Sequence, residues 1–223
     1  KEISNPMPKR LAIFDLDGTL LNTIADLATA TNQALDACGF PTHPIEAYPF
    51  FVGNGINKLF ERALPAEART EENVLRIRAH FLPYYDEHNA DLSRPYPGIP
   101  QLLENLQAAG IQVAVASNKY HRATEKLIRH YFPTIRFAAI LGQREGVPIK
   151  PHPQIVEDIL ALVPVSKEEV IYIGDSGVDM QTALNAGVES IGVTWGFRPR
   201  EELLQNSPTH LADTAKEIEN IIR

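Results

Sequence analysis

What most constrains this chain is a series of short apolar runs that each stop at small or polar residues. Residues 11–14, 111–116, 137–141, 170–173 and 190–194 are such runs, and none alternates with polar residues as a half-wet strand would. Runs of this kind suit strands buried on both faces, as in a parallel sheet. Helical patterns lie between the later runs. Residues 99–109 repeat apolar positions at helical spacing and stop at Gly110, a good helix-ending residue. Residues 121–132, 153–162 and 178–186 do the same, the last ending at Gly187, and Ser166 with Glu169 reads as a capping box. Strand and helix in alternation predict an α/β chain, a doubly wound parallel-sheet (Rossmann-like) core. Ligands of such sheets sit beyond the carboxyl ends of the strands, so the polar residues placed there are the candidates for chemistry.

One stretch, from about residue 22 to 94, breaks the alternation with helical patterns and no convincing strand. Residues 26–38 form one expected helix and 56–64 another, after the turn Gly53-Asn54-Gly55. Thr70 looks like the N-cap of a third, with Glu71 and Glu72 in its first turn and an end near His88. A helical block spliced between the first and second strands reads as an inserted all-helical cap domain. The expected boundaries are 1–22 and 94–223 for the α/β catalytic core and 23–93 for the cap. The crossings near Thr23 and at residues 93–98 would be the hinges, the second stiffened by Pro95, Pro97 and Pro100.

With 223 residues, 44% hydrophobic and 22% charged, the chain can build a real core. Its net charge of −7 repels nucleic acid and anionic membrane, so neither is an expected partner. No apolar run approaches the ~18 residues of a membrane span, and residues 1–10 are polar, so a cytoplasmic location is expected. A monomer or weak homodimer is the expected state. The single cysteine, Cys38, excludes an internal disulfide and is expected to be a small buried side chain.

Two acidic clusters follow buried-strand runs: Asp15-Leu16-Asp17-Gly18-Thr19 and Gly174-Asp175-Ser176-Gly177-Val178-Asp179. Both fall at the same edge of the sheet. Four carboxylates converging there would repel one another unless a cation sits among them, and oxygen-only ligands favour a hard ion such as Mg²⁺. A lone Asp-x-Asp is more often a turn or a helix cap; two clusters in the expected place are not. Ser117 follows the second long run and Lys150 the third. Alone, the first reads as a local turn and the second as a solvated lysine. A hydroxyl, an ammonium and a metal around one point make a phosphate site.

At this point the chain resembles the haloacid dehalogenase-like hydrolase superfamily over nearly its whole length. The four motifs appear as Asp15-Leu16-Asp17-Gly18-Thr19-Leu20, Ser117-Asn118, Lys150, and Gly174-Asp175 with Asp179. The stretches Val52-Gly53-Asn54-Gly55, Arg94-Pro95-Tyr96-Pro97-Gly98 and Val193-Thr194-Trp195-Gly196 are most similar to its phosphoglycolate phosphatase branch. One departure is Asn22-Thr23 where Asp-Ser is usual, read as hinge variation. The resemblance implies a Mg²⁺-dependent phosphomonoester hydrolase acting on a small phosphorylated metabolite. Asp15 would be the nucleophile, already ionised at the ordinary aspartate pKa of ~3.9, forming an aspartyl-phosphate. Asp17 would protonate the leaving alkoxide and then activate water. Mg²⁺ would be held by Asp15, the Asp17 backbone carbonyl and Asp175, with Asp179 orienting from behind. Gly18, Thr19, Ser117, Asn118 and Lys150 would surround the phosphoryl group. The turn at Gly53, Asn54 and Gly55, with Lys58, would contact the leaving group or be a plain turn. The seven histidines form no recognisable metal-ligand spacing.

Several rivals share parts of this pattern. A sugar-phosphate mutase, beta-phosphoglucomutase-like, has the whole core machinery and differs in its cap contacts. A dehalogenase needs neither a metal nor Asp17, and a receiver-type signalling domain has no helical insert and no acid two residues after its acceptor. A catalytically silent regulator would have degraded motifs, which this chain lacks.

Overall fold

The computed structural model describes residues 7–223; residues 1–6, and with them the start of the expected core segment 1–22, lie outside the described residues. The chain opens with β1 (Leu11–Phe14), every residue of which is fully buried. A short strand β2 (Leu21–Asn22) leads into α1 (Ile24–Ala37), α2 (Ile56–Ala63) and α3 (Glu71–His88), and β3 (Arg94–Pro95) brings the chain back. Then follow α4 (Ile99–Ala108), β4 (Gln112–Tyr120), α5 (His121–Tyr131), β5 (Phe137–Gln143), α6 (Gln154–Leu162) and β6 (Val170–Gly174). The chain closes with α7 (Gly177–Ala186), β7 (Glu189–Val193), α8 (Arg200–Gln205), β8 (His210–Ala212) and α9 (Ala215–Ile222).

Six strands form one parallel sheet in the order β5-β4-β1-β6-β7-β8. Its faces divide by residue parity along each strand. Ala12, Phe14, Val113, Val115, Ile171 and Ile173 pack with Leu102 and Leu106 of α4, Leu127 of α5 and Ile218 of α9. Leu11, Ile13, Ala114, Ala116, Val170 and Tyr172 pack with Ile155 and Ile159 of α6 and Ala183 of α7. Helices on both faces are why these strands read as unbroken apolar runs. Phe14 lies opposite Val115 of β4 and Ile173 of β6, so Asp15, Ser117 and Asp175 emerge at one edge, beside the point where strand order reverses.

Between β2 and β3 the helical insert has a core of its own, built from Leu27, Leu35, Tyr48, Leu59, Phe60, Ile77, Phe81 and Tyr85. Phe60 meets Phe81 edge-on at 4.9 Å between ring centroids, and Phe81 stacks on Tyr85 at 5.0 Å. Thr70 caps α3 as expected, its side chain accepting from the Asn73 N–H. The two crossings are antiparallel partners, Leu21 opposite Pro95 and Asn22 opposite Arg94. Asp26 of α1 clamps the return, accepting from the N–H groups of Leu92 and Ser93 and from the Ser93 hydroxyl at 2.6 Å.

The departures from expectation have local causes. β4 runs on to Tyr120 past the end of its apolar residues, with its pairing to β5 irregular between Ala116 and Tyr120. The Ser166 capping box forms, but over a single 3-10 turn, Lys167–Glu169. β2, β3 and the three-residue β8 are too short to give a periodic signal. Cys38 is only partly buried, because it lies at the end of α1, where the helix leaves the insert core.

Candidate active site

The loop after β1 turns sharply, with three N–H groups, those of Thr19, Leu20 and Leu21, directed at the Leu16 carbonyl. Asp15 is 9% exposed, and its Oδ1 accepts from the Leu16 N–H at 2.8 Å and from Lys150 Nζ at 3.1 Å. Burial, then the charge of Asp179, pushes its carboxyl well above the ordinary aspartate range, against the pull of Lys150. An aspartate ionised at its ordinary pKa, as the sequence led one to expect, is therefore not what burial leaves here. Its ionised form needs positive charge.

Lys150 supplies part of it. The side chain is 2% exposed, and Nζ reaches Asp15, the Ala116 carbonyl at 2.9 Å, the Tyr172 hydroxyl at 2.8 Å and Asp179 Oδ1 at 2.8 Å. Burial alone would lower the lysine pKa, but Asp15 and Asp179 hold it well above its usual value. Asp179 is the best-held carboxylate of the group. Its Oδ1 accepts from Lys150 and from the Tyr172 hydroxyl, and its Oδ2 from the Asp175 N–H at 3.1 Å and the Ser176 hydroxyl at 3.0 Å. Burial works against its charge, yet the charge of Lys150 and the hydrogen bonds from Lys150 and Tyr172 keep its pKa below the usual range. Tyr172 had no sequence signal, because one tyrosine inside an apolar run looks like core.

Asp175 is packed by glycines. Gly18 adopts φ +82°, and a Cβ there would lie 2.1 Å from Asp175 Oδ2; at Gly196 a Cβ would lie 2.3 Å from Asp175 Cβ. The Phe197 N–H donates to Asp175 Oδ2 at 2.9 Å, and Trp195 Nε1 donates to the Thr19 carbonyl at 3.1 Å. The Trp-Gly-Phe stretch thus straps the second acidic cluster to the first. Burial, then Asp179, pushes Asp175 up to about 7. Carboxylate oxygens of Asp15, Asp175 and Asp179 all lie within 4.8 Å of one another. Two buried carboxyl groups that resist ionisation beside a third that is saturated with donors form an all-oxygen set that suits a hard divalent ion.

Asp17 lines the same cavity but is not one of that group of three. Its Oδ1 accepts from the Thr23 hydroxyl at 2.5 Å and lies 3.2 Å from Lys119 Nζ. The Asn22-Thr23 departure therefore keeps a hydroxyl on Asp17. Lys119 is 6% exposed and also donates to the Tyr85 hydroxyl of α3 at 2.6 Å. The sequence reading missed it, since an isolated lysine reads as surface. Ser117 Oγ accepts from the Lys119 N–H at 3.0 Å, so the local turn and a place in the cavity wall coexist. The Asn118 side chain is structural: Nδ2 donates to the carbonyls of Gly53 and Lys150, and Oδ1 accepts from the Lys150 N–H.

A single cavity gathers Asp15, Asp17, Ser117, Asn118, Lys150, Asp175 and Asp179 from the core. Its opposite wall is Leu27, Val52, Ile56 and Leu59 of the insert, with the turn at Gly53 and Gly55. Gly18 and Thr19 stand behind it, the Thr19 hydroxyl fully buried and turned to Asp175 Oδ1 at 3.4 Å. Lys58 is outside, 53% exposed and paired with Glu61. Asn54 is also absent from this wall and accepts from Arg62 at 2.9 Å.

Against known proteins, the model of the haloacid dehalogenase-like hydrolases matches residues 12–193. The chain belongs to that family. This hydrolase is 31% identical over 218 residues to the phosphoglycolate phosphatase of Vibrio parahaemolyticus serotype O3:K6, covering 96% of both chains. It is 31% identical to that of Haemophilus influenzae strain 86-028NP over 96% of its own length and 98% of the relative's. Among solved structures, a chain from Lactobacillus delbrueckii subsp. bulgaricus, provisionally assigned as a phosphoglycolate phosphatase, superposes with a TM-score of 0.90 at 34% identity. The match covers 97% of the hydrolase and 99% of that chain.

Proposed function

We propose that this hydrolase, an enzyme of the phosphatase class, removes phosphate from a small phosphorylated metabolite through an aspartyl-phosphate, with phosphoglycolate the leading candidate. The observation that carries this reading is the Lys150 ammonium held between Asp15 and Asp179 at the floor of the cavity. It neutralises the attacking carboxylate and gives the phosphoryl oxygens a fixed cation. Asp15 attacks phosphorus in line; the P–O bond to the leaving alkoxide breaks as the acyl-phosphate bond forms. Asp17 gives its proton to the alkoxide, then takes one from the water that attacks the same phosphorus, releasing phosphate and restoring Asp15. Ser117, the Asn118 backbone and Lys150 would hold the phosphoryl oxygens, while Gly18 and Thr19 support the loop and Asp175. Mg²⁺ is the ion proposed, with Asp15, the Asp17 carbonyl and Asp175 as its holders and Asp179 behind them. It would supply charge neutralisation of the phosphoryl group.

On this reading residues 1–22 and 94–223 are the catalytic core, and 23–93 are a cap that excludes water while the covalent step proceeds. We place the enzyme in the cytoplasm as a monomer or weak homodimer, without nucleic-acid or membrane partners. The net charge of −7 disfavours nucleic acid and anionic membrane as partners, and among the described residues no helix is long and apolar enough to cross a membrane. The decisive test is Asp15→Asn. Turnover of an aryl phosphate should fall by at least about 10³-fold, and near-normal turnover would rule the nucleophile out.

A further inference from the structure

Three cationic side chains line the cavity of this acidic chain: Lys119, Lys150 and Arg198. Two are engaged. Lys150 spends its donors on Asp15, Asp179, Tyr172 and a carbonyl, and Lys119 on Asp17 and Tyr85. Arg198 differs. It follows Phe197, whose N–H holds Asp175, so its backbone is anchored beside the acidic cluster while its side chain crosses to the insert. There Nη2 donates to the Val52 carbonyl at 2.9 Å, and Nη1 forms an ion pair with Glu202 Oε1 at 3.3 Å. A guanidinium has five N–H donors, so these contacts leave most of the fork open. The side chain is only 18% exposed.

Its surroundings sharpen the point. Arg62 of α2 lies close enough that burial and the charge of Arg198 together lower its pKa. Both arginines line a second groove, which shares Gly53, Ser176, Val178 and Arg198 with the main cavity. Apart from Arg198, the side chains facing the core carboxylates from Leu27, Val52, Ile56 and Leu59 are apolar. A ligand whose phosphoryl group sits at Asp15 and Lys150 thus meets one strong cation at its other end. Lys58, the basic residue that the sequence offered for this task, is outside the cavity.

We infer that Arg198 is the specificity residue for the leaving group and receives a carboxylate carried on it, next to the phosphate ester. This rests on the phosphatase reading above. Arg is suited to the task because its planar fork matches a carboxylate in two directions and is weakly hydrated, so desolvation costs it less than it would lysine.

The test compares 2-phosphoglycolate with ethyl phosphate, in which a methyl group replaces the carboxylate, through the ratio of their kcat/KM values. The wild-type ratio should favour phosphoglycolate. Arg198→Gln should reduce that ratio by about 10- to 150-fold, Arg198→Lys should restore part of it, and Lys58→Ala should leave it where it was. Equal losses on both substrates in Arg198→Gln would mean that Arg198 only latches the insert through Val52, and the inference fails. It fails too if the wild type shows no preference, or if Lys58→Ala removes it. A wild type that turns over neither ester nor any aryl phosphate would instead sink the phosphatase reading itself. Thermal unfolding of each variant identifies any whose loss is merely a loss of fold.

Discussion

The loops after β1 and β6 both present aspartates to one cavity, yet the molecule treats those aspartates in opposite ways. Asp179, at the start of α7, receives four hydrogen bonds, one of them from an ammonium, and its pKa is held down. Asp15 and Asp175, also buried but less completely bonded, are pushed up, Asp175 to about 7. Depth is common to all three; the supply of donors separates them. A buried carboxylate saturated with donors is a structural anion, and one left short of them is available to a cation or an electrophile.

Replacing Lys150 with Met should show the largest effect, because it strands Asp15 and Asp179 together without their cation. Removing one partner of a buried pair costs about 3–5 kcal/mol, to be read by denaturant unfolding. A cost under about 1 kcal/mol would mean that the carboxylates simply take up protons, and the contrast would dissolve. Asp179→Asn against Asp175→Asn is the sharper comparison. The first should destabilise by about 3 kcal/mol, whereas the second, which removes a carboxyl that burial already disfavours as an anion, should cost little in cation-free buffer while abolishing any response to Mg²⁺. Equal losses in the two variants would break the comparison.

The third prediction concerns pH. Asp175 in the folded chain keeps its proton up to about 7, well above its unfolded value of 3.8. Between those values the folded state binds more protons than the unfolded one, so cation-free stability falls as pH rises through the window. A cation that needs the carboxylates ionised should therefore raise Tm more at pH 8 than at pH 5, its stabilisation reaching about 2.7 kcal/mol wherever it stands in hundredfold excess over its Kd. A pH-independent increment would remove Asp15 and Asp175 as ligands. The smallest effect is expected from Thr23→Val, which strips one buried hydroxyl from Asp17 and should slow kcat about tenfold. Thr23→Ser should stay near wild type, and a Val variant as fast as the Ser variant would leave the hydroxyl without a role.

Much of this is legible in the amino-acid sequence alone. β1 begins and ends where its apolar run does, because both faces of a central parallel strand are covered and its residues carry no competing signal. The cap of α3 at Thr70 was equally plain, since an N-cap is a contact between near neighbours in sequence. Partners supplied from far along the chain were not. Lys119 is a buried cation only because Asp17, a hundred-odd residues away, and Tyr85 of the insert enclose it. Tyr172 and Phe197 lie in an apolar run and a loop that give no hint of the carboxylates they hold.

The order of strands and helices, the place of the helical insert and the two acidic clusters are properties of the sequence, because periodicity and local turn chemistry act between close neighbours. Which carboxylate is saturated and which is left wanting charge was decided only by the tertiary structure. Ser176 and the Asp175 N–H reach Asp179 within one turn of chain, but the Lys150 ammonium, the Tyr172 hydroxyl of β6 and the Phe197 N–H come from other elements, and only the closed sheet brings them within hydrogen-bonding reach of the carboxylates.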